Sequence, residues 1–203
     1  MSRLRQGDKC EITFNFIRSG LTVSGRQGKL LGAIGEFLLP EEAERLERRR
    51  EEGVYPQVSR VFTDSMPDSR QTASLIYPRL PAIVEPELDP FDYGESTGRR
   101  YQDVAGERRF QQSDGSEFPV SDAEETYIFQ ARTGKAFRDM LAEIGATRIT
   151  EVAVIAHREN ILAILRRYVV PRAFYLNPAL EYGGGISLIY DMEQEAARIV
   201  NFF

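Results

Sequence analysis

Two short stretches carry side chains suited to handling an anion. The first is Arg18-Ser19-Gly20, which closes the β-favouring run Ile12 to Ile17, a run interrupted only by the polar Asn15. A guanidinium offers several N–H donors in a fixed fork, and a neighbouring hydroxyl and glycine let an oxyanion approach closely. Taken alone, Arg18 equally suits a solvated or salt-bridged arginine at a strand end. The second stretch is His157-Arg158, directly after Glu151-Val152-Ala153-Val154-Ile155-Ala156. His157 is the single histidine of the chain, so proton transfer by an imidazole, or an imidazolium facing an anion, has one candidate. A satisfied core histidine fits the same apolar run, but a strand end opening onto a helix start favours a pocket. Ser19 needs a neighbouring base to become a nucleophile, and the only imidazole is His157. Arg158 suits the surface, a pairing with Asp68, or an added positive charge beside His157.

The elements that must position these residues alternate along the chain. Ile12 to Ile17 reads as a buried strand, and Leu21 to Phe37, with Gly25, Gly28, Gly32 and Gly35, reads as a loop over its tip. Pro40 opens a helix over 41–52, rich in Glu-to-Arg pairs such as Glu41 with Arg45 and Glu44 with Arg48, and Gly53 stops it. Its charges suit a solvated helix face. Val58 to Thr63 predicts a second strand, followed by a helix whose first turn carries Asp68. Ala82-Ile83-Val84 predicts a third strand. From Glu85 to Gly115 the chain lacks periodicity and reads as a long excursion of the kind that carries function. Phe137, Met140, Leu141 and Ile144 form one apolar helix stripe closed by Gly145; Ile161, Ile164, Leu165 and Tyr168 form another, ended by Pro171. Gly183-Gly184-Gly185 precedes a hairpin-like pair, Ile186 to Tyr190 and Ala197 to Phe203. Alternating strands and helices predict one α/β domain over 1–203, a three-layer α/β/α sandwich around a largely parallel sheet.

Composition narrows the function. The 203 residues carry a formal charge of -5, which argues against nucleic acid or an anionic membrane as partner, while leaving room for a local basic pocket. Cys10 is the only cysteine, so no internal disulfide and no multi-cysteine zinc site can form. No apolar run has signal-peptide or membrane-spanning character, so the cytoplasm is the expected compartment.

Together, the Arg18-Ser19-Gly20 strand tip, the Leu39-Pro40-Glu41 helix entry, Gln71-Thr72-Ala73, Phe91-Asp92-Tyr93-Gly94-Glu95-Ser96-Thr97-Gly98, the strand running to His157 and the glycine-rich final hairpin resemble the histidine phosphatase superfamily, the phosphoglycerate mutase-like fold. The resemblance spans nearly the whole chain. It implies phosphoryl transfer through a histidine that follows the first arginine, with two arginines and a second histidine neutralising the phosphate and a glutamate protonating the leaving group. Arg18 matches the first arginine and His157 the second histidine. The nucleophile position, however, is Ser19; the second arginine falls on Asp68, the proton donor on Pro90, a polar residue on Gly25 and a small residue on Arg158. A two-residue shift would make Arg70 the working arginine and Asp89, Asp92 or Glu95 the acid. Glu124, eight residues before Arg132, suits a first-turn carboxylate better than a substrate contact, and Phe91 and Tyr93 suit packing.

Two functions follow from the resemblance and its departures. One is a domain that has lost phosphohistidine catalysis and binds an anionic ligand, phosphate-bearing or otherwise, or a protein partner, through Arg18, Ser19, Arg70, Glu95, His157 and Arg158. The other is a hydrolase of altered chemistry in which Ser19 and His157 are catalytic on a phosphoester or another ester. Neither reading calls for a cofactor or a metal.

Overall fold

The computed structural model describes residues 11–104, 110–111, 117–118, 122–147, 149–169 and 179–203. Six strands form the central sheet: β1 (Glu11–Arg18), β2 (Arg60–Thr63), β3 (Ala82–Val84), β6 (Glu151–Ala156), β7 (Gly185–Asp191) and β8 (Ala196–Phe202), in the order β3-β2-β6-β1-β7-β8. Phe110–Gln111 (β4) and Glu117–Phe118 (β5) pair with each other as a separate ribbon. β3, β2, β6 and β1 run parallel, whereas β7 is antiparallel to β1 and β8 to β7. The sheet is therefore parallel over four strands and closes with an antiparallel hairpin.

Pleat alternation divides the apolar side chains between two layers. Phe14, Phe16, Val152, Val154 and Ala156 join Phe137, Met140, Ile144, Ile161 and Leu165 on one face, against α5 (Thr126–Gly145) and α6 (Arg158–Tyr168). Ile17, Val61, Ala153 and Ile155 join Leu46, Ala73 and Ile76 on the other, against α2 (Pro40–Glu51) and α3 (Pro67–Ile76). This is the expected three-layer sandwich. Phe14 and Phe137 pack with ring centroids 4.9 Å apart and are essentially fully buried; burial of such a ring contributes about 1.5–3 kcal/mol. Asn15 is tolerated in the core because its amide donates to the Val152 carbonyl and its oxygen accepts from Ser187 Oγ at 2.6 Å.

Local chemistry explains the helix ends. α2 and α3 each begin at a proline, which lacks the N–H a first turn would leave unpaired. α2 has Glu41 and Glu42 in its first turn and Arg48, Arg49 and Arg50 in its last, matching the helix dipole. Its charged face is not wholly solvated. Glu42 is buried and receives Arg45 Nε and Nη2 at 2.7 and 2.8 Å. The 21–39 segment is mostly irregular, with one short helix, α1 (Val23–Arg26), capped by Thr22. After β3 the chain makes 3-10 turns at Pro86–Leu88 and Gly94–Ser96 and a short helix, α4 (Tyr101–Val104). Beyond Val104 much of the expected excursion, and Pro171 after α6, lie outside the described residues.

Candidate functional site

Parallel pairing brings three strand ends to one edge of the sheet: Arg18 is in register with Ala156, and Thr63 with Ile155. Ser19, Asp64 and His157 therefore emerge together, where ligands gather in α/β sheets. Ser19 and His157 border a cavity of about 120 Å³ whose wall also includes Arg18, Lys29, Asp68, Pro90, Tyr93, Arg158, Glu159 and Tyr182, whereas Asp64 lies behind it.

Arg18 is held in place rather than left to solvent. Its Nη1 donates to the Leu180 carbonyl at 2.7 Å, and its guanidinium lies 3.5 Å from the centre of the Tyr182 ring. Tyr182 is positioned by the turn before β7. Arg45 Nη2 donates to its carbonyl at 2.5 Å, and Tyr55 Oη donates to the Gly183 carbonyl at 2.9 Å. Gly183 has φ +62°, and a Cβ there would collide with Leu46. Among the described residues no carboxylate lies within ion-pair distance of Arg18.

Ser19 is buried, 3% exposed, and its hydroxyl makes no hydrogen bond among the described residues. The next backbone N–H, that of Gly20, donates to Thr72 Oγ1 at 2.9 Å, and Thr72 Oγ1 donates to the Asp68 carbonyl at 2.7 Å. The strand tip is thereby pinned to α3. Gln71 adds a second tie by accepting from Leu38 N.

The imidazole of His157 meets the carboxylates at the start of α3. Its Nε2 lies 3.3 Å from Asp68 Oδ2 and 3.8 Å from Asp64 Oδ2, an ionic contact without hydrogen-bond alignment. Burial, the largest single influence, works to lower the His157 pKa; attraction from Asp68, then Asp64 and Glu159, outweighs it and raises the value to about 9. His157 is thus an imidazolium at neutral pH. Burial pushes Asp64 up to about 7, against the pull of His157, with repulsion from Asp68 assisting. Asp64 also accepts from Met66 N and Ser69 Oγ, which organises the start of α3.

The remaining sequence candidates separate clearly. Arg158 lines the cavity, whereas Arg70 and Glu95 are exposed and stand outside its wall. Asp89 accepts from Ser65 N and Oγ, both at 2.8 Å, and Asp92 accepts from Gly94 N. Neither carboxylate lines the cavity; Pro90 does. Glu124 receives Arg132 Nε and Nη2 at 2.7 and 2.9 Å, and the same guanidinium donates to the carbonyls of Glu87, Asp89 and Pro90. Glu124 and Arg132 therefore build the wall that presents Pro90. Phe91 packs in an aromatic cluster with Tyr93 and Phe129, and Tyr93 also faces the cavity, its phenol held neutral by burial. Sequence reasoning missed Lys29, Glu159 and Tyr182. The glycines around Lys29 were a usable signal, because they allow the 21–39 segment to fold down over the strand tip.

The sequence model of the histidine phosphatase superfamily, branch 1, matches residues 16–202. The chain belongs to this superfamily. Histidine phosphatase-fold structures superpose over almost the whole chain. A phosphoglycerate mutase from Bacillus anthracis is 13% identical with a TM-score of 0.79, over 97% of this chain and 95% of that one. A mycobacterial glucosyl-3-phosphoglycerate phosphatase is 15% identical with a TM-score of 0.77, over 93% and 97%. The alpha-ribazole phosphatase from Shigella flexneri is 18% identical with a TM-score of 0.74, over 93% and 95%. No curated protein sequence matches the chain. Among the described residues of this histidine phosphatase-fold chain, no group of His, Cys, Asp and Glu side chains is arranged to hold a metal ion, and no helix is long and apolar enough to cross a membrane.

Proposed function

We propose that this member of the histidine phosphatase superfamily has lost phosphohistidine catalysis and uses the retained pocket to bind an anionic small molecule. The observation carrying this reading is the pairing of His157 with Asp68 beside Ser19. Phosphoryl transfer depends on an in-line nucleophile and on cations that neutralise the transferred group. At the tip where the family resemblance expects a nucleophilic imidazole, a serine hydroxyl stands with no base bonded to it. Where the resemblance expects a second arginine, a buried carboxylate takes up the charge of the remaining histidine. At the expected proton donor, Pro90 has no proton to transfer.

Arg18, Lys29 and Arg158 still supply positive charge to the cavity wall, which supports anion binding without turnover. Two measurements test the reading. The protein should turn over p-nitrophenyl phosphate no faster than its Arg18→Ala variant, and small-anion binding followed by NMR should be lost in that variant. Turnover at rates ordinary for phosphatases, abolished by Arg18→Ala or His157→Ala, would sink the proposal. A covalent phosphoryl or acyl adduct on Ser19 under turnover would instead establish the altered-hydrolase alternative.

A further inference from the structure

The charges around the cavity define which anion it accepts, provided the anion-binding reading above holds. Asp68 is 3% exposed and contributes to the cavity wall. Its Oδ2 lies 3.3 Å from His157 Nε2, so the imidazolium charge is already met from within the protein. Glu159 brings a further carboxylate to the same wall, while Arg18, Lys29 and Arg158 bring cations. A ligand carrying one negative charge can take Arg18 as its counter-ion. A second charge on the same small head group that turns toward His157 meets the Asp68 carboxylate, and Glu159 offsets part of the charge that Lys29 and Arg158 supply. Like charges in a partly desolvated site repel far more strongly than in water, and the cavity is too small to separate them widely.

We propose that the pocket selects oxyanions carrying a single negative charge, a carboxylate or a phosphodiester, over the dianion of a phosphomonoester. Asp68 is the specificity-determining residue. It acts by repulsion, a device that discriminates among ligands without adding any contact to the favoured one.

Acetate, dimethyl phosphate and methyl phosphate serve as probes at pH 7, where a phosphomonoester, with a second pKa near 6, is mostly a dianion. Binding is read from the backbone amide shift of Gly20 and from the imidazole resonance of His157, unambiguous because the chain has one histidine. Dimethyl phosphate, acetate or both should bind at least tenfold more tightly than methyl phosphate. The arm that binds best distinguishes a phosphodiester ligand from a carboxylate. Asp68→Asn, nearly isosteric, should reduce that preference to about unity by tightening methyl phosphate. The proposal is overturned if methyl phosphate binds the unaltered protein as tightly as the monoanions, or if the preference survives in Asp68→Asn. Methyl phosphate binding alone leaves the anion pocket standing and removes only its charge selection. No binding by any of the probes removes both.

Discussion

Burial alone would make His157 a weaker base than a free imidazole; it holds its proton because Asp68 and Asp64 stand 3.3 and 3.8 Å from Nε2. Its NMR titration should therefore show a midpoint near 9 in the native protein. In Asp68→Asn the midpoint should fall by at least one pH unit, because the desolvation penalty remains and the principal attraction is gone; an unmoved midpoint would contradict this assignment. Stability is linked to the same proton. A folded-state pKa above the unfolded value of 6.5 means that the contribution is fully present below pH 6.5 and is lost as pH rises through about 9. Asp64, raised from 3.8 to about 7, adds a loss of the same sign at lower pH. Since one unit corresponds to about 1.4 kcal/mol, the His157 shift is worth on the order of 3 kcal/mol. The thermal midpoint should fall by roughly 5–10 °C between pH 6.5 and 9.5, and by much less in Asp68→Asn. At this scale the sequence was informative about identity and silent about partnership. Ser19, Asp68 and Pro90 could be read as departures from the resemblance, but residues 68 and 157 meet only because two strand-to-helix turns converge. No local pattern encodes that angle.

The elements carry the site on a few ties that can be cut one at a time. Thr72 is the hinge between β1 and α3: it accepts the Gly20 N–H and donates to Asp68, and it is fully buried. Thr72→Val keeps the shape and leaves the Gly20 donor unpaired, which should cost about 1–3 kcal/mol in denaturant unfolding and broaden the Gly20 and His157 signals. Arg132 does similar work for the opposite wall. Its guanidinium holds Glu124 and the carbonyls of Glu87, Asp89 and Pro90. Arg132→Ala removes the cation while leaving Glu124 largely buried without its partner, so a loss of about 3–5 kcal/mol is expected. Lysine at 132 should rescue only part of it, since one ammonium cannot span that set of acceptors. Equal stability of the lysine variant and the unaltered protein would show that the fork geometry does not matter. The periodic stretches announced their elements well: 151–156 and the stripe from Phe137 to Ile144 appear where expected. The start of α5 at Thr126 did not, because Glu125 makes no side-chain cap and its first turn is largely solvent-facing. Arg132 sits in that unannounced half, and an arginine buried by carbonyls looks in sequence like any surface cation.

For the whole molecule, the sheet and both helical layers match the histidine phosphatase fold, while Ser19, Asp68 and Pro90 at their common edge differ from the residues that the family resemblance implies. Fold and site chemistry can vary separately because the core residues Phe14, Phe16, Val154 and Ile155 lie behind the strand tips and do not line the cavity. The same separation predicts how activity responds to grafting. Ser19→His alone restores a nucleophile, but the second charge of a phosphate still meets Asp68, and Pro90 still cannot protonate a leaving group. Residues that act as a unit in catalysis show strongly non-additive effects, with loss of a nucleophile alone costing on the order of a millionfold in one hydrolase. Ser19→His should therefore leave p-nitrophenyl phosphate hydrolysis at background. Adding Asp68→Arg and Pro90→Glu should raise it by at least a hundredfold over any of the three single variants. Circular dichroism melting of each variant separates failed folding from failed chemistry, and acid-labile phosphate on position 19 identifies the covalent intermediate. If Ser19→His alone reached the rate of the triple variant, Asp68 and Pro90 would not be obstacles, and the pocket would be a phosphatase site lacking one residue rather than a site rebuilt around a different anion.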